Sequence, residues 1–405
     1  MNSQHKTAQL TASRTFEANL MAFFDCAIKT DTPIAIWRKP TEELIQGCCQ
    51  VSDSELNIED LENAPQGFMV SPFAPSDEPR PNYILSDISI NEKDNAFKIH
   101  PTLQHQDQSL ETFFEAYLKT KEQQSFDFRD YLHKAPEVRY DRQAFIDLVQ
   151  QCQDAINNGQ YQKIVPSRRE GYSYSNNFHP VKELFKLCKA YKNAFVSIVY
   201  TPQYGLWLGA TPELLIETQN EIFRTVSLAG TQGVPDDFEL SRAAWRQKEI
   251  EEQALVSRYI INCFKKIRLR EYLEIGPKTV KAGNLIHLKT SFEVNMKETN
   301  FPELASTMLQ LLHPTSAVCG MPMIPAANFL AEHEGYDREC FSGYLGPVNH
   351  GDTTSLYVNL RCTKLYKDGG IIYAGAGVTE ESIPELEWNE TEIKFRTLLN
   401  IFENL

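Results

Sequence analysis

The alternation of apolar and polar positions after about residue 141 predicts more strands than helices. Strand-like runs cover residues 161–167, 196–200, 204–208, 214–218, 221–226, 285–294, 346–365 and 371–373. Most of these runs follow one another through short turns, which is typical of hairpins and not of strands joined by crossover helices. We therefore predict an α+β fold with large antiparallel sheets.

Helical spacing of apolar residues adds four helices to this picture. Asp141 can cap a helix that ends at residues 158–159, and a longer helix is predicted over residues 237–266. Two shorter helices are predicted near residues 302–312 and 325–334. Residues before about 135 are weakly patterned. We expect residues 1–135 and 136–405 to form one interwoven domain.

Composition and charge exclude several classes of partner. The chain has 405 residues, 42% hydrophobic residues and a formal charge of −14, so its surface would repel nucleic acid and anionic membranes. Residues 1–14 lack the apolar core of a secretion signal, and no run approaches the ~20 apolar residues of a membrane span. We expect a cytoplasmic protein that is a monomer or a weak homodimer.

The nine cysteines are scattered along the chain without a CxxC pair. Because structural zinc sites and redox motifs use closely spaced cysteines, this arrangement predicts reduced thiols and no structural zinc.

Two residues are candidates for acid–base chemistry. Lys163 lies in a strand-like run, where desolvation in a dry pocket would favour the neutral amine and allow it to act as a base. Glu213 precedes the apolar run 214–216, where burial would keep the carboxyl protonated as an acid. The alternatives are a solvated lysine at a sheet edge and a carboxylate at the start of a helix or the edge of a strand.

Three acids are candidates for a magnesium site. Glu387, Glu390 and Lys394 stand at i, i+3 and i+7, so a helix would place two carboxylates and an ammonium on one face. Glu252, on the predicted long helix, adds a third carboxylate, and Mg²⁺ prefers such oxygen ligands. The alternative is that these acids are hydrated residues on helix surfaces.

Further residues are candidates for contact with an anionic substrate. His313 precedes a proline and can donate a hydrogen bond to substrate or cap a loop, and Arg361 lies in an apolar run, where it needs a carboxylate from substrate or from the protein itself. The small-residue turn at Gly375, Ala376 and Gly377 lets backbone N–H groups approach an anion. It lacks the third glycine of a dinucleotide-binding motif.

These segments, taken in order, resemble the chorismate-utilising enzymes, which include isochorismate, anthranilate, aminodeoxychorismate and salicylate synthases. The matching segments are 163–168, 211–215, 228–231, Glu252, 313–315, 337–338 with Gly343, 359–362, 375–377 and 387–391 with Lys394. The resemblance covers residues 140–400. It implies a sandwich-like core with helices packed outside, which residues 1–135 would complete.

Single positions within the resemblance favour one branch of the family. Lys163 matches the lysine that activates water in isochorismate and salicylate synthases, whereas the ammonia-using anthranilate enzymes typically carry glutamine there. Ala229 stands where aminodeoxychorismate synthases carry a reactive lysine, and Ala317 stands where enzymes that expel pyruvate tend to have threonine. Gln253 departs from the histidine that is common at its position.

The resemblance also implies a role for each residue. Chorismate is the expected substrate, with Mg²⁺ held by Glu252, Glu390 and, through water, Glu387. Lys163 would activate water for attack at C2, and Glu213 would protonate the departing C4 hydroxyl. The remaining expected substrate contacts are Ala229, Gly230, Thr231, His313, Arg361, Gly375, Ala376, Gly377 and Lys394.

The expected activity is that of an isochorismate synthase, an isomerase that serves menaquinone or siderophore synthesis. The alternatives are a salicylate synthase, which eliminates pyruvate after forming isochorismate, and a catalytically silent protein that binds chorismate. The presence of both Lys163 and Glu213 favours an enzyme.

Overall fold

The computed structural model describes residues 15–402, except residues 55, 59, 74–81, 101–107, 123–125, 139–140, 236 and 283–284. The prediction about residues 1–14 therefore lies outside the described residues. Within the described ranges the chain forms two large antiparallel sheets, one small sheet and eight α-helices. The α+β prediction is confirmed.

The first sheet has nine strands among the described residues. In spatial order they are β6 (Ala96–Ile99), β5 (Ile88–Asn91), β2 (Gln46–Cys49), β1 (Ile34–Arg38), β9 (Phe195–Thr201), β10 (Gly205–Thr211), β18 (Cys362–Leu365), β19 (Gly370–Gly375) and β8 (Ser167–Tyr172). Strand β1 pairs with β2 on one side and with β9 on the other. The middle of this sheet therefore joins strands that are far apart in sequence.

The second sheet has eight strands within the same described ranges. In spatial order they are β13 (Leu273–Ala282), β14 (Leu285–Asn295), β12 (Ile222–Gly233), β11 (Leu214–Gln219), β17 (Thr353–Val358), β16 (Tyr344–Val348), β3 (Gly67–Ser71) and β4 (Asn82–Leu85). The small sheet pairs β7 (Lys163–Ile164) with β15 (Gly320–Met321). Both large sheets thus take strands from before and after residue 135.

The two large sheets pack face to face through aromatic residues. Phe195 of the first sheet stacks on Tyr357 of the second, with ring centroids 4.1 Å apart, and Trp37 lies 5.2 Å from Phe68 across the same interface. Along β9, Phe195 faces the other sheet and Val196 faces the helices, as the two-residue period of a strand requires. This inner layer is the core of the sandwich-like fold.

Helices cover the outer faces of both sheets. The helices α1 (Phe16–Lys29), α2 (Gln108–Glu122) and α4 (Pro180–Ala190) pack on the first sheet. The helices α3 (Arg142–Asn157), α5 (Gln247–Lys266), α6 (Leu304–Leu312) and α7 (Met323–His333) pack on the second. The last helix, α8 (Pro384–Phe402), contributes Trp388 to the second layer and Phe395 to the first. It therefore bridges the two layers.

Local signals placed some element boundaries correctly and missed others. Asp141 caps α3 by accepting a hydrogen bond from the Ala144 N–H at 2.9 Å, as predicted. The helix predicted over residues 237–266 is wrong at its start, because α5 begins at Gln247. The Arg246 N–H donates to the Glu249 carboxylate at 2.9 Å, which satisfies an orphan donor at that end.

The single strand predicted over residues 346–365 is also wrong, since it is three strands, β16, β17 and β18. The first break contains Asn349, Gly351 and Asp352, and the second contains Arg361, all with positive φ. Positive φ is incompatible with a continuous strand, so the chain turns at both places. None of the helices in the described ranges combines the length and apolar character needed to cross a membrane.

Candidate active site

A cavity of about 700 Å³ lies where the ends of both sheets meet α5 and α8. Its walls include Glu213, Ala229, Gly230, Thr231, Glu252, His287, Ala317, Arg338, Arg361, Gly375, Gly377, Glu390 and Lys394. These residues come from β10–β12, β14, β19, the two helices and the turns between strands. The fold therefore brings together most of the residues singled out in the sequence.

Glu213 lies at the corner between β10 and β11, with its side chain buried against the cavity. The Val358 N–H donates to the Glu213 carbonyl oxygen at 3.0 Å, which fixes the corner to β17. Burial raises the pKa of Glu213 to about 7, although the positive charges of Lys163, Lys394 and Arg361 oppose this rise. A carboxyl with such a pKa holds a proton near neutrality and can donate it to a leaving group.

Lys163 lies on β7 directly behind Glu252 and Gly377, and its side chain is fully buried. Its Nζ donates to Glu252 Oε1 at 2.8 Å. A Cβ added at Gly377 would clash with Glu252 Oε1 and would lie 3.0 Å from Lys163 Cε, so this pair needs a glycine beside it. The side chain is removed from solvent, as the desolvation argument requires, and it is paired with the Glu252 carboxylate.

Each of the three predicted metal ligands is paired with a lysine. Glu252 accepts from Lys163, Glu390 lies 2.6 Å from the Lys394 ammonium, and Glu387 accepts from Lys248. Burial opposes the charge of Glu252, but Lys163 and Lys248 outweigh it and lower the pKa of Glu252. Burial and the neighbouring Glu390 raise the pKa of Glu387 to about 7, against the effect of Lys248.

The carboxylates do not converge on one point. Among the described residues, no three His, Cys, Asp or Glu side chains stand close enough together to hold a metal ion. Three carboxylates at one point repel one another, so each is neutralised by its own ammonium. The donor set still suits Mg²⁺, because it consists of hard oxygen ligands and because the buried Glu387 Oε2 has no hydrogen-bond partner in the described structure.

Arg361 and Lys394 place two cations on the cavity. Arg361 adopts a left-handed backbone conformation with φ of +47°, and its buried Nη1 has no hydrogen-bond partner among the described residues. Burial lowers the pKa of Arg361 to about 10, although the carboxylates of Glu390 and Glu213 oppose the change. Lys394 donates to the Gly375 carbonyl oxygen at 2.7 Å. Both cations are suited to binding carboxylates.

A bulge in β12 shapes another wall of the cavity. The pairing of β12 with β14 shifts register between Ala229 and Thr231, and Gly230 has φ of +69°, which favours glycine. The Gln253 side chain accepts from the Ala229 N–H at 3.0 Å and donates to Thr290 Oγ1 at 3.0 Å. Gln253 thus fixes the bulge beside the cavity.

His287 is a cavity residue that sequence reasoning missed. It lies on β14 opposite Thr231, and its Nδ1 lies 3.1 Å from the Gly230 carbonyl oxygen. Burial lowers the pKa of His287 to about 3, and the charges of Arg361 and Lys394 lower it further. The imidazole is therefore neutral, with Nδ1 donating and Nε2 free to accept from a ligand. A histidine inside an apolar strand was the available signal.

Two predicted substrate contacts lie outside the cavity walls. The His313 Nε2 is 3.1 Å from the Pro72 carbonyl oxygen, and its ring packs edge-on against Tyr344 at 4.7 Å. Burial lowers the pKa of His313 to about 4. Ala376 has its side chain in the core and its N–H bonded to the Pro166 carbonyl oxygen at 3.1 Å. His313 thus contacts Pro72 and Tyr344 of the protein itself, and the Ala376 N–H is bonded to the backbone, so substrate contact by either residue stays a prediction.

Comparison with known proteins agrees with this arrangement. Residues 46–403 match the model of a family described as chorismate binding enzyme. The chain belongs to the chorismate binding enzyme family. Among curated relatives of this chorismate binding enzyme, isochorismate synthase EntC of Escherichia coli strain K12 is 34% identical over 203 residues. The match covers 49% of this chain and 51% of EntC, so the chain spans about half the length of that relative.

Other relatives are similar to this chain in sequence, and solved structures are similar to it in fold. Isochorismate synthase MenF of Haemophilus influenzae is 26% identical over 66% of this chain and 62% of its own length. The structure of MenF, the menaquinone-specific isochorismate synthase of Escherichia coli, superposes with a TM-score of 0.69 at 18% identity, over 91% of this chain and 88% of that chain. Anthranilate synthase component I of Streptococcus pneumoniae gives a TM-score of 0.65 at 18% identity, over 90% of this chain and 89% of that chain. These structures confirm the predicted fold.

Proposed function

We propose that this chorismate binding enzyme is a magnesium-dependent isochorismate synthase. In the proposed reaction, water adds at C2 of chorismate and the hydroxyl group at C4 leaves. The observation that carries the proposal is the placement of Glu213, with a pKa of about 7, within the electrostatic influence of the buried Lys163–Glu252 pair. Adding water and expelling a hydroxyl group requires a base and an acid at the same pH, and these two side chains supply them.

The acid step follows from the burial of Glu213. A hydroxide ion is a poor leaving group, so the C4 oxygen must receive a proton as its bond to carbon breaks. Glu213 keeps its proton to near neutral pH because the cavity disfavours its charged form. After the proton has left, Lys163, Lys394 and Arg361 stabilise the resulting carboxylate.

The base step depends on the partner of Lys163. While Glu252 accepts from Nζ, the ammonium is stabilised and cannot take a proton from water. When Mg²⁺ is bound, Glu252 would be one of its ligands and would no longer neutralise Nζ, and the burial of Lys163 would then disfavour its charged form. Lys163 lies behind Gly377 and Glu252, both of which line the cavity, and we propose that its amine accepts a proton from a water molecule bound there.

The substrate is a dianion, and the cavity offers cations to hold its two carboxylates. Arg361 presents a buried nitrogen that has no hydrogen-bond partner among the described residues, and Lys394 of α8 lines the same cavity. A carboxylate bound to Arg361 would satisfy that nitrogen and gain a charge-assisted hydrogen bond. We also propose that the neutral His287 accepts a hydrogen bond from a substrate hydroxyl group through Nε2.

Glu252, Glu387 and Glu390 would hold Mg²⁺, which would neutralise a carboxylate of the substrate. Glu387 Oε2, which has no hydrogen-bond partner among the described residues, and the shared position of Glu252 and Glu390 on the cavity support this assignment. Similar proteins are named for more than one pathway, namely the vibriobactin-specific isochorismate synthase of Vibrio cholerae and the menaquinone-specific isochorismate synthase MenF of Escherichia coli. We propose that the product feeds either siderophore or menaquinone synthesis.

The decisive experiment uses isotopically labelled water. The purified protein is incubated with chorismate and Mg²⁺ in H₂¹⁸O, and the products are separated and analysed by mass spectrometry and NMR. The proposal expects isochorismate that carries one ¹⁸O atom at C2. Recovery of unchanged chorismate would refute the proposed activity, and unlabelled isochorismate would refute water as the nucleophile.

The same assay separates the alternatives. Release of pyruvate with salicylate would identify a salicylate synthase, and binding of chorismate without turnover would identify a silent binding protein. A parallel reaction with excess chelator should give no product, and added Mg²⁺ should restore it. Full activity in the chelator would remove the metal from the proposal.

A further inference from the structure

Lys248 forms a buried ion pair between two helices that both border the candidate site. It lies one helical turn before Glu252 on α5, so the two side chains leave the same face of the helix. Its side chain is 14% exposed, and its ammonium donates to Oε1 of Glu387, which is 1% exposed. Breaking such a pair from one side leaves an uncompensated buried charge.

With the Lys248–Glu387 pair, the negative charges of the carboxylates around the site are equal in number to the positive charges of the lysines. Glu252, Glu387 and Glu390 are matched one to one by ammonium groups from Lys163, Lys248 and Lys394. A divalent cation added to this balanced set would bring two uncompensated positive charges into a region with little water to screen them. A cation can therefore enter at low cost only if an ammonium leaves its carboxylate.

Lys248 is the ammonium best placed to leave. Lys163 is fully enclosed, and Lys394 is also held by the Gly375 carbonyl oxygen at 2.7 Å. In the described part of the chain, Lys248 has no hydrogen-bond acceptor besides Glu387. Lys248 and Glu387 also border a second, solvent-open pocket, into which the flexible side chain can withdraw.

We propose that Lys248 stands in for the divalent cation: its ammonium occupies Glu387 until the cation displaces it, and the two compete for that carboxylate. The inference rests on the proposed function, because it takes Glu387 as part of the metal site. Two consequences follow from it. Lys248 joins α5 to α8 in the metal-free protein, and it makes cation binding weaker than three unpaired carboxylates would make it.

The first test measures metal binding directly in the full-length, chelator-treated protein. Mn²⁺ is the probe, and free Mn²⁺ is followed by electron paramagnetic resonance during titration of the parent and of Lys248→Met. The variant is expected to bind Mn²⁺ more tightly, on the order of tenfold, because the competitor has been removed. Lys265→Met, which removes an exposed charge from the same helix, should leave the affinity unchanged.

The second test measures thermal unfolding without and with Mg²⁺. Without Mg²⁺, Lys248→Met should melt at a lower temperature than the parent, by roughly 5 °C, because Glu387 is left unpaired. Saturating Mg²⁺ should recover most of that loss and raise the melting temperature more in the variant than in the parent. An equal rise in both proteins would overturn the competition.

The outcomes separate the failure of this inference from the failure of the proposed function. Saturable Mn²⁺ binding by the parent with equal or weaker binding by Lys248→Met would reject the role of Lys248 and leave the metal site standing. No saturable binding by the parent would reject the metal site itself.

A second variant keeps the test decisive if Lys248→Met does not fold without metal. Lys248→Met/Glu387→Gln removes the unpaired carboxylate together with its partner, so it should fold without metal and should bind Mn²⁺ about as tightly as the parent, because loss of the competitor and loss of one ligand have opposite effects. Binding by this double variant that is about tenfold tighter than that of the parent would exclude Glu387 as the contested carboxylate.

Discussion

Two buried clusters of charged side chains differ in how completely their polar atoms are bonded. In the first, Arg338 donates to Glu334, to the Val318 carbonyl oxygen at 2.9 Å and to the Val165 carbonyl oxygen at 2.7 Å. Glu334 also accepts from the Ser167 N–H at 2.7 Å. This cluster ties α7 to the strands beside the cavity. No ligand is needed to complete it.

The second cluster surrounds the cavity and is incomplete. Arg361 Nη1 and His287 Nε2 on the cavity, and Glu387 Oε2 on α8, are buried without hydrogen-bond partners among the described residues. Leaving such atoms unpaired costs stability, which supports the proposal that a ligand pairs with those on the cavity. The completeness of hydrogen bonding, and not burial or charge alone, therefore distinguishes a structural cluster from a binding cluster.

The largest effect is expected from the base. Lys163→Ala should reduce kcat for isochorismate formation by about 10³-fold or more, because no other group is placed to activate water. Chorismate binding, measured by calorimetry, should change little. Lys182→Ala, an exposed lysine on α4, is the control. Equal activity in Lys163→Ala and the parent would remove Lys163 from the proposed mechanism.

The second-largest effect is expected in the cluster around Arg338 and Glu334, whose hydrogen bonds are complete. Arg338→Met should lower the free energy of unfolding by roughly 3–5 kcal/mol, because it leaves the Glu334 charge buried and unpaired. Arg361 Nη1 has no hydrogen bond to lose among the described residues. Arg361→Met should therefore lower the free energy of unfolding far less, and it should abolish substrate binding. Urea denaturation of both variants and of the exposed control Arg270→Met measures the difference. Equal losses for Arg338→Met and Arg361→Met would break the comparison.

A smaller effect concerns the raised pKa of Glu213, which is about 7 in the folded protein against an ordinary 4.5. Between these pH values the folded state holds a proton that the unfolded state has released. The contribution of Glu213 to the free energy of unfolding is therefore largest below pH 4.5 and is lost as pH rises through 7. Glu213→Gln should remove this cost and stabilise the protein at pH 8 by up to ~3 kcal/mol.

The matching measurement compares thermal unfolding of Glu213→Gln and the parent at pH 5 and pH 8. The gain should be present at pH 8 and small at pH 5, and activity should be lost at both. In the parent, kcat should fall as pH rises above about 7, because the acid is then deprotonated. A gain in stability of equal size at the two pH values would show that Glu213 titrates normally.

The smallest effect concerns one metal ligand. Glu390→Gln should weaken the apparent affinity for Mg²⁺ by about tenfold, or ~1.4 kcal/mol, because a charged ligand becomes neutral. The measurement is a titration of activity with Mg²⁺ at saturating chorismate. Glu385→Gln, an exposed acid in the first turn of the same helix, is the matched control. An unchanged titration for Glu390→Gln would contradict its assignment as a ligand.

Local pattern was enough to predict much of the fold. The alternation along β9 and the capping of α3 by Asp141 depend on residues close together in sequence, and both were readable. The start of α5 was not readable in this way, because Arg246 is not one of the residues usually found at an N-cap, although glutamate is usual at the third helical position, where Glu249 lies. The order of strands also escaped prediction, since it depends on contacts between distant segments.

For the candidate site, too, residue types could be predicted from the sequence, whereas contacts between distant segments could not. The sequence pointed to Glu252, Glu387 and Glu390 as carboxylates that could meet, but it could not show that lysines pair with them. The Lys248–Glu387 pair joins two helices, so only the packing of α5 against α8 reveals it. His313 was predicted from its motif, and the neighbouring Pro72 and Tyr344 decide its position.

The position of β1 between β2 and β9 has a consequence during protein synthesis. All five residues of β1 are buried, and its second neighbour is β9, so a ribosome must extend the chain to residue 201 before this apolar segment gains both of its neighbours. Until then its open edge is available to other nascent chains. High expression without chaperones should therefore drive this protein into aggregates.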